Sequence, residues 1–145
     1  MEVKFVRTDD KVKIPEYATP LSAGADIRAR IDEPITVKPH ARVMVPTGLK
    51  ISLPEGYAAL LYARSGLATK HGIALSNGVG VIDADYRGEI KVGLINLSDE
   101  EFIINDGERI AQLVITPIIQ AKFTETDTLD ETLRGEGGFG STGRK

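Results

Sequence analysis

Glu89-Ile90-Lys91-Val92-Gly93-Leu94 alternates polar or small residues with aliphatic ones, and this run decides the fold class. A period of two puts Ile90, Val92 and Leu94 on one side of an extended chain and Glu89, Lys91 and Gly93 on the other. The same alternation recurs in Leu49, Ile51 and Leu53, separated by Lys50 and Ser52. It recurs again in Ala111, Leu113 and Ile115, with Gln112 and Val114 on the opposite side. Between such runs lie Pro34, Lys38-Pro39, Pro54-Glu55-Gly56, Arg87-Gly88 and Asn105-Asp106-Gly107, all residues that favour turns. Many short strands divided by turns predict an all-β domain, a sandwich or a barrel. No internal repeat interrupts the pattern.

Ser65–Gly72 is the one stretch that reads as a short helix, with Ser65 as N-cap, Leu67, Ala68 and Lys70 as helix formers and Gly72 as terminator. It is either a plain connector or an anion site, since a helix start offers unpaired N–H groups and Arg64 beside it adds charge.

The chain has 145 residues, which is one domain by length, and at that size folding buries roughly 68–70% of the unfolded surface. Lys and Arg number 18 against 21 Asp and Glu, for a net charge of −3. Proteins that grip a nucleic-acid backbone carry a basic excess, so no nucleic-acid partner is expected. With no cysteine and two histidines, His40 and His71, the chain lacks the residues for disulfides, thiolate metal sites or a histidine zinc set. Charged residues break up the first 20 positions, and no apolar run approaches a membrane span. The expectation is a cytoplasmic or otherwise intracellular protein with no signal peptide, no transmembrane segment and no membrane partner.

Residues 134–145 hold five of the 15 glycines and one large apolar residue, Phe139. That composition cannot build a core, so the chain divides into a β domain over 1–133 and a flexible arm over 134–145. The arm is either a disordered tail or carries Phe139 as a stacking group. Its two G-x-G-x-x-G matches lack the following helix that a dinucleotide site needs, and its likeness to a P-loop fails for the same reason. Asp83 and Asp85, on an extended chain, would share one face. They mark either a solvated hairpin end or a general base beside a cation-dependent phosphoryl site. Gly78-Val79-Gly80 before them and Tyr86-Arg87-Gly88 after them suggest a hairpin that a ligand could approach closely.

Five segments in order resemble the motifs of the trimeric deoxyuridine triphosphatase (dUTPase) family. They are Ser22-Ala23-Gly24-Ala25-Asp26-Ile27-Arg28-Ala29, Arg64-Ser65-Gly66-Leu67-Ala68 and Gly80-Val81-Ile82-Asp83-Ala84-Asp85-Tyr86-Arg87-Gly88-Glu89. Gly107-Glu108-Arg109-Ile110-Ala111-Gln112-Leu113 and Arg134-Gly135-Glu136-Gly137-Gly138-Phe139-Gly140-Ser141-Thr142-Gly143 complete the set. Ala63 stands where the second motif often has proline, which touches loop stiffness and no chemical role.

The resemblance implies a jelly-roll β fold, a homotrimer with active sites shared between chains, and hydrolysis of dUTP to dUMP and pyrophosphate. Such an enzyme limits uracil incorporation into DNA and supplies dUMP for thymidylate synthesis. Asp83 resembles the carboxylate that activates the attacking water. Arg64, Ser65, Gly66, Gln112 and Arg134 resemble the phosphate binders. Asn77, Gly78, Gly80, Tyr86, Lys91 and Phe139 would hold uracil and deoxyribose, with Tyr86 excluding a 2′-hydroxyl. Mg²⁺ would be the cofactor, held mostly by the triphosphate and waters. Asp26 would face it through water, or serve instead as a structural hydrogen-bond acceptor. Asp85 and Arg87 are read as structural or trimer-contact residues. A dCTP deaminase of the same fold is the alternative reading, opposed by the glycine-rich fifth motif with its phenylalanine and by the Asp83 segment. A non-catalytic binding protein on the same scaffold would need a catalytic position replaced, and none is.

Overall fold

A computed structural model describes residues 1–138, and among them it holds twelve strands and one helix. The strands are β1 (Lys4–Arg7), β2 (Glu16–Tyr17), β3 (Ala25–Arg28), β4 (Ile35–Val37), β5 (Arg42–Pro46) and β6 (Leu49–Ser52). After them come β7 (Tyr57–Tyr62), α1 (Ser65–His71), β8 (Ile73–Leu75), β9 (Gly80–Ile82), β10 (Lys91–Asn96), β11 (Phe102–Ile104) and β12 (Arg109–Pro117). One sheet runs β2-β3-β12-β7-β9 and a second runs β5-β10-β8, with the pairs β1-β6 and β11-β4 beside them. Every pairing is antiparallel, and most neighbours are distant in sequence.

The period-two runs point as expected. Leu49, Ile51 and Leu53 are buried, as are Ile90, Val92 and Leu94, while Lys50 and Lys91 are exposed. Ile27, Ala59, Leu61, Ile82, Ala111 and Leu113 from the larger sheet join Val45, Ile73, Leu75, Val92 and Leu94 from the smaller one in a single apolar cluster. Burial of the Val, Leu and Ile side chains among them, each worth roughly 1.5–3 kcal/mol, is what holds the two layers together.

Two polar side chains sit inside this core, Thr47 and Asn96. Asn96 donates its amide hydrogens to the carbonyls of Val37 (3.0 Å) and Glu100 (2.7 Å). Its amide oxygen accepts from the Ser98 backbone N–H at 3.0 Å and from the Ser98 hydroxyl at 2.8 Å. A fully buried amide with all its partners in place joins β4, the end of β10 and the following loop. At the edge of the sandwich Arg30 reaches Asp9 at 2.8 Å and Asp32 at 3.0 Å, tying the N-terminal segment down. Burial raises the Asp9 carboxyl, but the Lys11 amide and the Arg30 guanidinium outweigh it and hold the group below its ordinary value.

Three local expectations are revised. Helix α1 forms, but its N-cap is Arg64, in extended conformation and with no side-chain cap bond, so Ser65 is the first helical residue. Gly72 ends the helix in the left-handed region at φ 67°, as its lack of a Cβ allows. The segment between Asn77 and Lys91 is not a paired hairpin, because β9 bonds to β7 in the larger sheet while β10 bonds to β5 and β8 in the smaller. Asp83 and Asp85 accordingly lie in a turn closed by the Tyr86 N–H on the Asp83 carbonyl (3.2 Å), not on one face of a strand.

Replacing Asn96 by Ala removes four hydrogen bonds from this junction, one of them to the carbonyl of the buried Val37. The variant is expected to lose about 3 kcal/mol or more of unfolding free energy, measured from urea midpoints at fixed protein concentration. A loss below about 1 kcal/mol would show that the junction does not depend on this amide.

Candidate active site

β12 sits between β3 and β7, and its register sets Gln112 opposite both Asp26 and Tyr62. Two residues beyond Tyr62 the chain delivers Arg64 and the start of α1. The outcome is a recess of about 300 Å³ lined by Ser22, Gly24, Asp26, Arg64, Ser65, Gly66, Arg109 and Gln112 among others. Residues from the first, second and fourth motif segments thus meet in one place.

The Asp26 carboxylate lies between two guanidinium groups. Arg64 Nε donates to Oδ1 and Arg109 Nη1 donates to Oδ2, each at 3.1 Å. This fixes both cations and leaves a net positive charge facing the recess, which suits an anion that accepts several hydrogen bonds. The first bond within α1 runs from the Ala68 N–H to the Arg64 carbonyl at 3.0 Å, so the Ser65 and Gly66 amides have no partner inside the helix. The N-cap residue Arg64 makes no side-chain cap bond, and Ser65 is exposed. Gln112 donates one amide hydrogen to the Ala63 carbonyl at 3.0 Å, which holds the side chain still and leaves its second N–H for the recess. The Ala63 carbonyl, not its side chain, makes this contact. Gly24 gives Gln112 its room: a Cβ at position 24 would stand 2.8 Å from Gln112 Oε1.

A second recess, of about 520 Å³, is lined by Met44, Leu61, Asn77, Gly80, Val81, Ile82, Asp83, Tyr86, Glu89, Ile90 and Lys91. It contains four of the residues expected to hold base and sugar, with Asp83 at its wall. Gly78 adjoins Asn77 at φ 74° but does not line it. Among the described residues, none lines both recesses. Arg134 is in neither, its Nε donating to the Gly137 carbonyl at 2.7 Å, and Phe139 lies outside the described residues.

Arg109 was not singled out from the sequence, and the reason is geometric. Counting alternate positions back from Leu113 and Ala111 points residue 109 into the core. The register shifts between Arg109 and Ala111, however, so Ile110 and Ala111 are both buried and Arg109 faces the recess. Only its place inside the fourth motif segment could have marked it.

The family model described as dUTPase matches residues 10–143. The chain belongs to the dUTPase family. The deoxyuridine 5'-triphosphate nucleotidohydrolase of Desulfitobacterium hafniense (strain DSM 10664 / DCB-2) is 54% identical to the chain over 144 residues, 99% of the chain and 95% of that protein. The protein of the same name from Chlamydia pneumoniae is 53% identical over 140 residues, 96% of the chain and 97% of its own length. Among solved structures, the Staphylococcus bacteriophage 80alpha dUTPase with dUPNHPP superposes with a TM-score of 0.85 at 28% identity, covering 98% of each chain. The fold is the jelly roll of these relatives, and the enzyme is a hydrolase acting on dUTP.

Gly24→Ala tests the recess directly, because the clash falls on the end of a flexible side chain and not on the core. Turnover of dUTP is expected to fall about tenfold or more as Gln112 is displaced, with melting temperature shifted by only a few degrees. Unchanged turnover would detach Gln112 from the chemistry.

Proposed function

We propose that the enzyme cleaves dUTP between the α- and β-phosphorus, with Asp83 taking a proton from the attacking water. A new oxygen bond forms at the α-phosphorus, the bond to the bridging oxygen breaks, and pyrophosphate leaves. Arg64, Ser65, Gly66 and Gln112 hold the phosphates with fixed charge, hydroxyl and amide donors, which need no rearrangement as charge shifts. Asp26 keeps Arg64 and Arg109 in place. Asn77 and the backbone near Gly78, Gly80 and Lys91 read the uracil edge, while Tyr86 packs under the deoxyribose. Arg134 and Phe139 belong to this reading as contacts to the terminal phosphate and the base, supplied from the arm. The reaction limits uracil incorporation into DNA and provides dUMP for thymidylate synthesis.

The observation that carries the reading is the sorting of the motif residues into a cationic recess and a recess beside Asp83. Because no described residue lines both, we assign one nucleotide to recesses from different chains of a homotrimer. Exposed apolar side chains along the segment after β12, Ile119, Phe123 and Leu129, favour burial against neighbouring copies.

The donor set for Mg²⁺ is spare. Among the described residues there is no group of three or more His, Cys, Asp and Glu side chains that could hold a metal. Asp26 is a lone carboxylate already bonded on both oxygens, which fits an ion carried by the triphosphate and its waters, with Asp26 accepting from one water. Such an ion would neutralise phosphate charge and draw electrons from phosphorus.

Incubation with dUTP, dCTP, dTTP and UTP, scoring pyrophosphate and ammonia separately, is expected to give pyrophosphate from dUTP and no ammonia. Asp83→Asn should lower that turnover by about 10²–10⁴-fold with nucleotide binding kept. Full activity in this variant, or ammonia from dCTP, would overturn the assignment.

Shared sites give a separate expectation. Asp83→Asn and Arg64→Ala proteins, each inactive alone, should regain part of the wild-type turnover when unfolded together and refolded as a mixture. Mixed chains that stay inactive would place both recesses of a working site on one chain.

A further inference from the structure

Thr47 lies outside all five motif segments, yet it is fully buried and holds the wall of the recess beside Asp83. Its hydroxyl donates to the Ile90 carbonyl at 2.6 Å and accepts from the Leu49 N–H at 3.3 Å. Three neighbouring contacts complete a clamp. The Ile90 N–H donates to the Leu49 carbonyl at 2.7 Å, and the Gly48 N–H donates to Glu89 Oε1 at 2.8 Å. Lys91 stands opposite Pro46 in the ladder. The turn between β5 and β6 therefore grips residues 89–91 from behind.

That grip reaches Tyr86. Its hydroxyl donates to the Glu89 carbonyl at 3.1 Å, and its ring lies over Gly88, where a Cβ would stand 2.3 Å from the hydroxyl oxygen. The Tyr86 side chain is exposed, and the bond of its hydroxyl ties its position to where Glu89 is held. Tyr86, Glu89, Ile90 and Lys91 all line the recess.

We propose that Thr47 is a positioning residue for nucleotide selection, fixing Tyr86 and Lys91 through Ile90 and Glu89 so that the recess accepts a 2′-deoxyribose and rejects a ribose. The inference rests on the assignment of this recess to base and sugar. A hydroxyl group adds little bulk, so rejecting it depends on a wall that cannot yield. Thr47→Val keeps the shape and removes the 2.6 Å bond that holds the wall.

The test is calorimetric binding of dUMP and UMP, with dUTP and UTP turnover measured beside it. Thr47→Val is expected to weaken dUMP by about tenfold, the scale of one buried hydrogen bond, and to narrow the dUMP-to-UMP preference. Its kcat for dUTP should stay within about twofold while KM rises, the mark of lost binding and not of lost chemistry. Thr47→Ser, which restores the hydroxyl, should restore the preference. Tyr86→Phe, at an exposed position, should narrow it too even if Thr47→Val folds poorly, and adding Thr47→Val to it should narrow it little further. An equal loss for dUMP and UMP in Thr47→Val, or an undiminished preference in Tyr86→Phe, would reduce Thr47 to a stability residue and overturn the inference. Wild-type protein that prefers dUMP but leaves dUTP intact would refute the hydrolytic reading alone, since the binding comparison still decides the role of Thr47.

Discussion

Everything in this molecule depends on one ladder register, that of β12 between β3 and β7. Because side chains alternate across a strand, a slip by one residue would exchange its two faces. Leu113 would leave the core and Gln112 would enter it. The same hydrogen bonds that close the larger sheet thus also decide which side chains meet Asp26 and the start of α1. Fold and recess are two faces of one pairing, and neither can be set without the other.

Around that strand the charges are arranged with economy. A single carboxylate, Asp26, faces two arginines and orients both, leaving the excess positive charge unpaired where an anion would enter. Exposed ion pairs contribute little to stability. This one sits at a partly buried junction of three segments, where its value is to preset the direction of donors. Asp83 stands apart, in a turn held by backbone bonds and by Arg87, whose guanidinium donates to the Ala84 and Tyr86 carbonyls. Arg87 thereby ties the turn to itself at two carbonyls.

Much of this was legible in the sequence, for reasons that can be named. Alternation in 49–53 and 89–94 gave the buried faces correctly, since those strands are regular and have one face in the core. The residues of the motif segments that meet at Asp26 were legible as a set only through resemblance, because their meeting depends on pairings between distant strands that no local pattern reveals. Asp83 and Asp85 were misplaced onto a strand because Gly80-Val81-Ile82 before them is one, and the two aspartates were read as its continuation although Asp also favours the first position of a turn. Ser65 resembled an N-cap by its side chain, whereas the helix takes its first internal bond from the carbonyl of Arg64. Arg109 was hidden by a bulge, which breaks the very periodicity used to read the strand. Asn96 and Thr47 carried no signal at all: a polar residue inside an apolar run looks like a defect until its partners are seen.

The segment that walls the second recess crosses from one sheet to the other, leaving β9 in the larger and entering β10 in the smaller. The recess is therefore a gap whose width is the spacing of the sandwich at that corner, and no single sheet determines it. On the proposed assignment of this recess to base and sugar, the accuracy of the enzyme would be a mechanical property of its core. Warming, a cavity between the layers, or a substitution far from any ligand would be felt first as tolerance of the wrong nucleotide, while the strands are still fully paired.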